Sequence, residues 1–278
     1  QQLNDLVAKA RSNNFDLKTQ QFQLQSALAR LGAERAQYLP QGNIGASATR
    51  TSIGNSQSRQ SQSGVNLDWQ IDLFGKVTAL VDAANAGAMS QAEQVRALQI
   101  ETLSSVVKGF VSYQGSLQKE QIINLQIEAL LQSIDVLKAR VEEGVASELD
   151  LNRTLAQLKQ QQALLPEIEF AQFSDLSMLA LLTGQLADDL KLKDERDILS
   201  RNFKVSLTSP SKAVALRPDI SRALFEFSQA SSLSVAASKA LLPDISLSAF
   251  AGVISLGNNQ LSDLSALSNL EVVNGAIN

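Results

Sequence analysis

Residues 65–76 read VNLDWQIDLFGK and decide the fold, because two different periods meet there. Apolar side chains occupy alternate positions: Val65, Leu67, Trp69, Ile71 and Leu73. Polar side chains fill the positions between them: Asn66, Asp68, Gln70 and Asp72. A period of two is that of a strand with one apolar and one polar face. The ten residues Val65 to Phe74 match the roughly 9 to 11 of a tilted transmembrane strand. A hairpin in a soluble sheet has the same alternation, so the flanking sequence must decide.

The residues before this strand predict its hairpin partner. After Leu39-Pro40 the composition turns to Gly, Ser, Thr and Ala, and Ile44, Ala46 and Ala48 alternate with polar or small residues. The polar segment Ile53 to Gly64 is predicted as a loop, because it has almost no apolar side chains. Residues 40–74 are therefore predicted to form a β-hairpin.

The residues after this strand predict a very long helix. Lys76 to Glu143 contains no proline, and at about 1.5 Å per residue it would reach roughly 100 Å. A compact domain of this size needs no such rod, which decides against the soluble hairpin. Gly144 suits a left-handed helix end, and Ser147-Glu148-Leu149-Asp150 resembles a capping box. Residues 76–165 are thus predicted to form an antiparallel helical hairpin that ends before Pro166, with a further helix at 168–183.

An internal duplication organises the chain. Lys9 to Asn55 reappear in part as Lys212 to Asn258, with a shared Leu-Pro and a shared Gly-Asn in register. The same offset, 212 − 9 = 203 positions, predicts an outgoing strand after Pro243 and a return strand at 268–277. Residues 1–200 are predicted to form the first repeat: a helix over 1–38, in which Asn13 or Asn14 can cap a start before Asp16, then the β-hairpin, the helical hairpin, an equatorial helix and a linker. Residues 201–278 begin a second, truncated repeat. The charged run Lys191 to Asp197 is interpreted as part of a solvated linker.

Composition excludes several classes of function. The chain has 278 residues and 44% apolar residues, enough to bury a core. Its net charge of −4 gives no basic surface for nucleic acid. It has no Cys and no His, so thiol nucleophiles, disulfides, imidazole bases and most transition-metal sites are absent. We therefore expect neither an enzyme nor a cofactor. No apolar run is long enough for a spanning helix, and the given sequence does not open at Gln1 with a charged-then-apolar leader, so we expect any signal peptide to have been removed.

Three motifs in order, WQIDLFGK at 69–76, GVASELDL at 144–151 and RPDI at 217–220, resemble the TolC-type outer-membrane efflux proteins. The resemblance implies a mainly α fold with a small β part. It also implies a homotrimer in which each protomer adds four strands to a twelve-stranded transmembrane β-barrel and long helical hairpins to an α-barrel tunnel. The chain resembles about the first two thirds of a family member, so we expect it to be C-terminally incomplete.

The resemblance also suggests site residues. The tip that would dock a periplasmic adaptor comprises Arg140, Glu143, Gly144, Val145, Ala146 and Ser147. The lipid-facing residues of the transmembrane strand would be Val65, Leu67, Trp69, Ile71 and Leu73, and the lumen-facing ones Asp68 and Asp72. Each of these assignments has a simpler structural alternative. Trp69 could pack in the protein interior instead of lying in an interfacial aromatic belt, and the two aspartates could lie on a hydrated strand face with no special role. The tip could be only a connection between two helices.

These inferences predict a passive exit duct in the outer membrane that spans the periplasm. The chain has no Gly-rich phosphate loop, so an inner-membrane transporter would have to drive export through the adaptor. The expected partners are two further copies of the chain, the adaptor, the transporter and outer-membrane lipid. The alternative from another class is a soluble periplasmic adaptor or scaffold with a projecting helical hairpin.

Overall fold

The computed structural model describes residues 1–53, 56–195, 198, 209–256 and 271–273. The fold is mainly helical with one small antiparallel sheet. The helices are α1 (Gln2–Asn13), α2 (Phe15–Ala36), α3 (Lys76–Glu142), α4 (Glu148–Thr183), α5 (Pro210–Ala215) and α6 (Pro218–Lys239). The strands are β1 (Gln41–Ile53), β2 (Ser56–Ile71), β3 (Ile245–Leu256) and β4 (Glu271–Val273).

The chain divides into two compact units. The helical unit comprises Gln1–Gln21 and Val95–Val214, and the sheet unit comprises Phe22–Gln94 and Ala215–Asn278. The helical unit has a core of buried side chains from α1, α3 and α4 and the segment that follows α4: Leu6, Ala10, Val106, Phe110, Leu179, Ala180 and Leu190. In the sheet unit, the first turns of α3 bury small side chains: Val77, Ala79, Ala83, Ala86 and Ala88. Each unit therefore has its own packed interior.

The helix predicted over 1–38 is divided into α1 and α2 at Asn14, one of the two cap residues that the sequence offered. Its backbone leaves the helical region, with φ −57° and ψ 127°. Its side-chain oxygen accepts a hydrogen bond from the backbone N–H of Leu17 at 2.9 Å, and its amide donates to the carbonyl of Leu182 at 3.0 Å. Asn14 therefore caps α2, as asparagine does at helix starts, and also ties it to the end of α4.

Helix α3 is a single helix of 67 residues, one residue shorter than predicted. Helix α4 runs back beside it, since Gln172 of α4 donates to the carboxylate of Glu120 of α3 at 2.7 Å. The prediction that the hairpin ends at 165 and a separate helix starts at 168 is wrong, because α4 continues through Pro166. Proline removes one helical hydrogen bond, but Leu158 and Ile168 are buried on either side of it and hold both halves.

The charged segment after α4 is docked instead of solvated, contrary to expectation. A short 3₁₀-helix covers Ala187–Asp189, and Leu190 enters the core. The side chain of Gln2 bonds both the N–H of Lys193, at 2.7 Å, and its carbonyl, at 3.3 Å. Fully buried Gln114 donates to the same carbonyl at 3.0 Å and accepts from the N–H of Glu195 at 2.8 Å. The side chains of the two glutamines therefore satisfy backbone N–H and C=O groups of this segment, as a paired strand would. Residues 196–197 and 199–208 of the predicted linker lie outside the described residues.

The sheet has the order β1-β2-β3-β4, with every pair antiparallel. The predicted loop Ile53 to Gly64 is wrong: β2 begins at Ser56, and the β1–β2 ladder continues to Ile53 opposite Ser56. Pairing with β1 satisfies the backbone of this polar segment, so it needs no apolar side chains to remain extended. Gly54 and Asn55, half of the shared Gly-Asn motif, lie outside the described residues.

The second repeat supplies the predicted outgoing strand, β3. Of the predicted return strand 268–277, Glu271–Val273 pairs with β3 opposite Ser248–Phe250. Residues 257–270 and 274–278, with the rest of that strand and the second Gly-Asn, lie outside the described residues.

A pair of glycines sits opposite each other in the β2–β3 ladder. Gly64 faces Gly252, and the ring of Phe250 lies against both. A Cβ added to Gly64 would stand 2.7 Å from Phe250 Cε2, and one added to Gly252 would stand 2.6 Å from Phe250 Cζ. The ring can occupy this position because Gly64 and Gly252 have no side chains.

Candidate functional site

The sheet exposes one apolar face built from three strands. The register sets Val65 between Ile44 and Ala251, and Leu67 between Gly42 and Ala249. Trp69 and Ile71 stand opposite Leu247 and Ile245 in the same way. Directly paired residues share a face, so these side chains form one surface. Ile44 is 87% exposed, Leu67 45% and Leu247 42%. An exposed apolar surface of this extent marks an interaction site.

The opposite face carries polar side chains that bond across the strands. Asn66 donates to the Asn43 side chain at 3.0 Å, and the Ser248 hydroxyl donates to Asp68 at 2.7 Å. Asp68 therefore lies on the polar face, as the alternation predicts. Phe250 and Ile254 of β3 are apolar exceptions on this face. A face of this kind is suited to water and not to a hydrocarbon phase.

The foot of β2 is joined to the segment between α2 and β1. The indole N–H of Trp69 donates to the carbonyl of Tyr38 at 3.0 Å. The hydroxyl of Tyr38 in turn donates to that of Thr78 at 3.1 Å. Trp69 thus has an apolar body on the exposed face and a satisfied polar end, the arrangement common at membrane interfaces.

Asp72 and Leu73 lie beyond the sheet, because β2 ends at Ile71 and not at Phe74. Asp72 instead caps α3. Its carboxylate accepts hydrogen bonds from the N–H of Val77 at 3.0 Å, the N–H of Thr78 at 2.8 Å and the Thr78 hydroxyl at 2.7 Å. Desolvation would raise the pKa of Asp72, but the hydrogen bonds from Thr78 and its neighbours outweigh it and lower that pKa below the ordinary value of an aspartate. A helix N-terminus stabilises the charged form of a nearby carboxylate. The acidic residue at position 72 is therefore explained by its place at the start of α3, without a role on the face of a strand.

A second set of contacts at the same junction was missed by sequence reasoning. Asp244, just before β3, accepts from the Gln70 amide and from Lys76 Nζ, both at 2.9 Å. Lys239 Nζ donates to the carbonyl of Gly75 at 3.2 Å, where φ is +74°. Asp244 follows the Leu-Pro motif of the second repeat, which could have signalled a strand start but not its partners. Together these residues fix where the sheet becomes helix.

The tip of the α3–α4 hairpin is a defined turn. Gly144 has φ +73°, and its N–H bonds the carbonyl of Val141 at 3.0 Å. The N–H groups of Val145 and Ala146 bond the carbonyl of Arg140 at 2.8 and 3.1 Å. This is the Schellman pattern that ends helices at glycine. The predicted left-handed glycine is confirmed.

The side chains at the tip are mostly exposed. Ser147 caps α4 by accepting from the N–H of Leu149 at 3.1 Å. Val145 is 75% exposed and Leu149 56% exposed. Arg140, Glu143 and Gly144 are exposed beside them, and Ala146 is half-buried. The structure thus brings all six expected tip residues together, with apolar groups between charged ones.

Within the described part of the chain, every helix is too short or too polar to cross a bilayer.

Comparison with known proteins identifies the family. Residues 6–185 match the sequence profile of the family described as outer membrane efflux protein. The chain is 28% identical over 264 residues to the probable efflux pump outer membrane protein SepC of Pseudomonas putida, covering 91% of this chain and 54% of SepC. The toluene efflux pump outer membrane protein TtgF of Pseudomonas putida matches with the same identity and coverage. The chain thus spans about half the length of these relatives.

A solved structure shows the same fold. The outer-membrane channel OprN superposes with a TM-score of 0.80 at 23% sequence identity, covering 92% of this chain and 62% of that one. The superposition shows the shared fold. The profile match to outer membrane efflux proteins favours a channel over the soluble adaptor considered above. The family is one of efflux channels and not of enzymes, and its place is the outer membrane. This chain belongs to the outer membrane efflux protein family.

Proposed function

We propose that the full protein is the exit duct of an efflux or secretion system and conducts its substrates passively from periplasm to exterior. The observation that carries this is the two-sided sheet. Its apolar face is exposed, its polar face is bonded across the strands, and a carboxylate cap joins it directly to a 67-residue helix. A closed barrel has no unpaired edge in lipid, and long helices satisfy their own backbone while enclosing water.

The exposed sheet face would meet lipid through Val65, Leu67, Trp69 and Ile71. Asp68 would face the water-filled lumen. Asp72 is no longer proposed to face the lumen and Leu73 is no longer proposed to face lipid, since both follow the end of the strand. The edges of the sheet support a homotrimer: β1 pairs only with β2 among the described strands, so its outer edge is available to a second copy.

The hairpin tip is the proposed docking site for an adaptor. Val145 and Leu149 offer apolar contact, and Arg140 and Glu143 flank them with opposite charges, a pattern suited to a helical partner. An inner-membrane transporter would supply energy through that adaptor, and the chain itself would catalyse nothing. The two repeats, the first in residues 1–200 and the second beginning at residue 201, would place equivalent hairpins around one tunnel.

Adjacent residues on the two faces of β3 give a sharp test. Residues 1–278 contain no cysteine, so S246C and L247C each add a single thiol to this part of the full-length protein, in which any cysteine beyond these residues is first replaced by serine. Ser246 stands opposite Gln70 on the polar face and Leu247 opposite Trp69 on the apolar face. In outer-membrane vesicles, a water-soluble maleimide should modify S246C and leave L247C unmodified until detergent is added.

Equal labelling of both positions before detergent would show that both faces meet water, and the duct would be rejected. Recovery of the full-length protein in the soluble periplasmic fraction would reject it independently.

A further inference from the structure

Two methionines carry the only sulfur atoms in residues 1–278, which contain no cysteine. Met89 lies on α3 and Met178 on α4, and each residue is 39% exposed. Oxidants convert exposed thioethers to sulfoxides, and no thiol in this part of the chain reacts in their place. Both methionines are therefore open to oxidation, and the consequence at each depends on what its side chain contacts.

Met178 packs against a position on α3 that has no side chain. A Cβ added to Gly109 would stand 2.7 Å from Met178 Cε and 3.2 Å from Leu179 Cδ2. These separations are too short for a Cβ, so the methyl group of Met178 occupies the space that a side chain at position 109 would need. Met178 is thus part of the contact between α3 and α4 while it also remains open to solvent.

This contact adjoins the core of the helical unit. Val106 and Phe110 of α3 and Leu179 of α4 are 0% exposed, and all three belong to the same buried cluster. Gly109 directly precedes Phe110 in the sequence, and Met178 directly precedes Leu179. A change in the side chain of Met178 therefore acts beside fully buried residues. Met89 lies about twenty residues before Gly109 on α3 and provides a control of equal exposure.

We propose that Met178 is an oxidation site whose sulfoxide loosens the packing of α4 on α3. Hypochlorous acid is the oxidant: an S–O bond forms at Met178 Sδ and the O–Cl bond breaks. The sulfur loses two electrons, and the chlorine gains them and leaves as chloride with the release of one proton. Methionine sulfoxide reductases reverse the modification. The inference goes beyond the proposed function and does not rest on it, because it concerns only the contact between two helices.

The new oxygen makes the contact at Gly109 unfavourable. A sulfoxide oxygen accepts hydrogen bonds strongly, and its burial without a donor is costly. The oxidised side chain is therefore expected to turn towards water, which withdraws its methyl group from Gly109. The space left beside Leu179 removes packing contacts from both helices. Local opening of α3 should then become more frequent, and the exchange of its amide hydrogens should accelerate.

The test compares two variants of the full-length protein, purified in detergent. M89L leaves Met178 as the single methionine in residues 1–278, and M178L leaves Met89; leucine has a similar volume to methionine and is not oxidised. Methionines elsewhere in the full-length protein are common to both variants. Each variant is treated with a small molar excess of hypochlorous acid and quenched with free methionine. Peptide mass spectrometry then measures the sulfoxide at each position and the hydrogen exchange of the amides of residues 106–110.

Oxidation of M89L should accelerate the exchange of these amides about fivefold or more, and methionine sulfoxide reductases A and B should restore the original rate. Oxidation of M178L should leave the rate unchanged. Without oxidant, M178Q places a polar amide near the same position and should accelerate exchange at 106–110, whereas M89Q should not.

Three outcomes would overturn the site. In the first, Met178 stays unoxidised under conditions that convert Met89, which shows that the oxidant does not reach it. In the second, the sulfoxide forms at Met178 but exchange at 106–110 keeps its original rate. In the third, oxidation accelerates exchange equally in M89L and M178L, which assigns the effect to methionines other than Met178.

Discussion

The turn at Gly144 makes a quantitative prediction. Gly144 has φ +73°, and a Cβ added there would meet no atom within 4 Å. Gly144→Ala therefore introduces no clash, and its cost is the left-handed backbone alone, about 1 kcal/mol. The amides of Val145 and Ala146, which bond the carbonyl of Arg140, report on the opening of this turn. Their hydrogen exchange in the full-length protein should accelerate roughly fivefold, the factor that corresponds to about 1 kcal/mol.

Two other glycines serve as matched controls for the same substitution. Gly184 also has a positive φ, +65°, but its added Cβ would stand 2.8 Å from the carbonyl oxygen of Asn13. Gly184→Ala should therefore destabilise the protein more than Gly144→Ala. Gly115 lies within α3 with open space around it, so Gly115→Ala should stabilise the helix by about 0.5–1 kcal/mol. If exchange at the tip is unchanged or slowed in Gly144→Ala, the argument from the left-handed backbone is wrong.

Two further contacts can be tested by substitution. Asp72→Ala should cost about 1–2 kcal/mol by thermal unfolding, since α3 loses its cap. Because folding lowers the pKa of Asp72, the stability that its carboxylate contributes is present above about pH 4 and is lost as the pH falls through the lowered pKa. In Asp72→Asn that part of the dependence of stability on pH should be absent. If Asp72→Asn and the wild type depend on pH in the same way, Asp72 is not the cap of α3. Gln114→Leu keeps the side-chain volume but removes the hydrogen bonds to the docked segment, so trypsin should cleave this variant after Lys193 several times faster than the wild type. Gln118 lies on an exposed part of α3, so trypsin should cleave the control variant Gln118→Leu at the wild-type rate. Equal cutting in both variants would show that Gln114 does not hold the segment.

Local signals predicted the elements whose causes are local. The left-handed Gly144, the serine cap at Ser147 and the proline-free run from Lys76 are read from single residues and their neighbours. The alternation through Ile71 predicted both faces of β2. These features of the tip and of the sheet could be found from sequence because each depends on the chemistry of a few adjacent positions.

The errors share a different cause, which is pairing over long sequence separations. The polar half of β2 is a strand because β1 and β3 satisfy its backbone, and no property of its serines and glutamines shows this. Pro166 stays within α4 because packing on both sides outweighs one lost hydrogen bond. Lys193 is docked because Gln2 and Gln114 reach it from α1 and α3, 191 and 79 positions away. A single sequence does not reveal such partners.

The ring of Phe250 over Gly64 and Gly252 has a consequence for how the strands find one another during assembly. If β3 shifted along β2 by two residues, Gly64 would face a neighbour with a Cβ, and the aromatic group would lose its seat. Serine-rich ribbons have little else to tell correct from incorrect alignment. One aromatic ring and two glycines without side chains thus favour a single register of β3 against β2, in a part of the sheet where the remaining sequence does little to select the register.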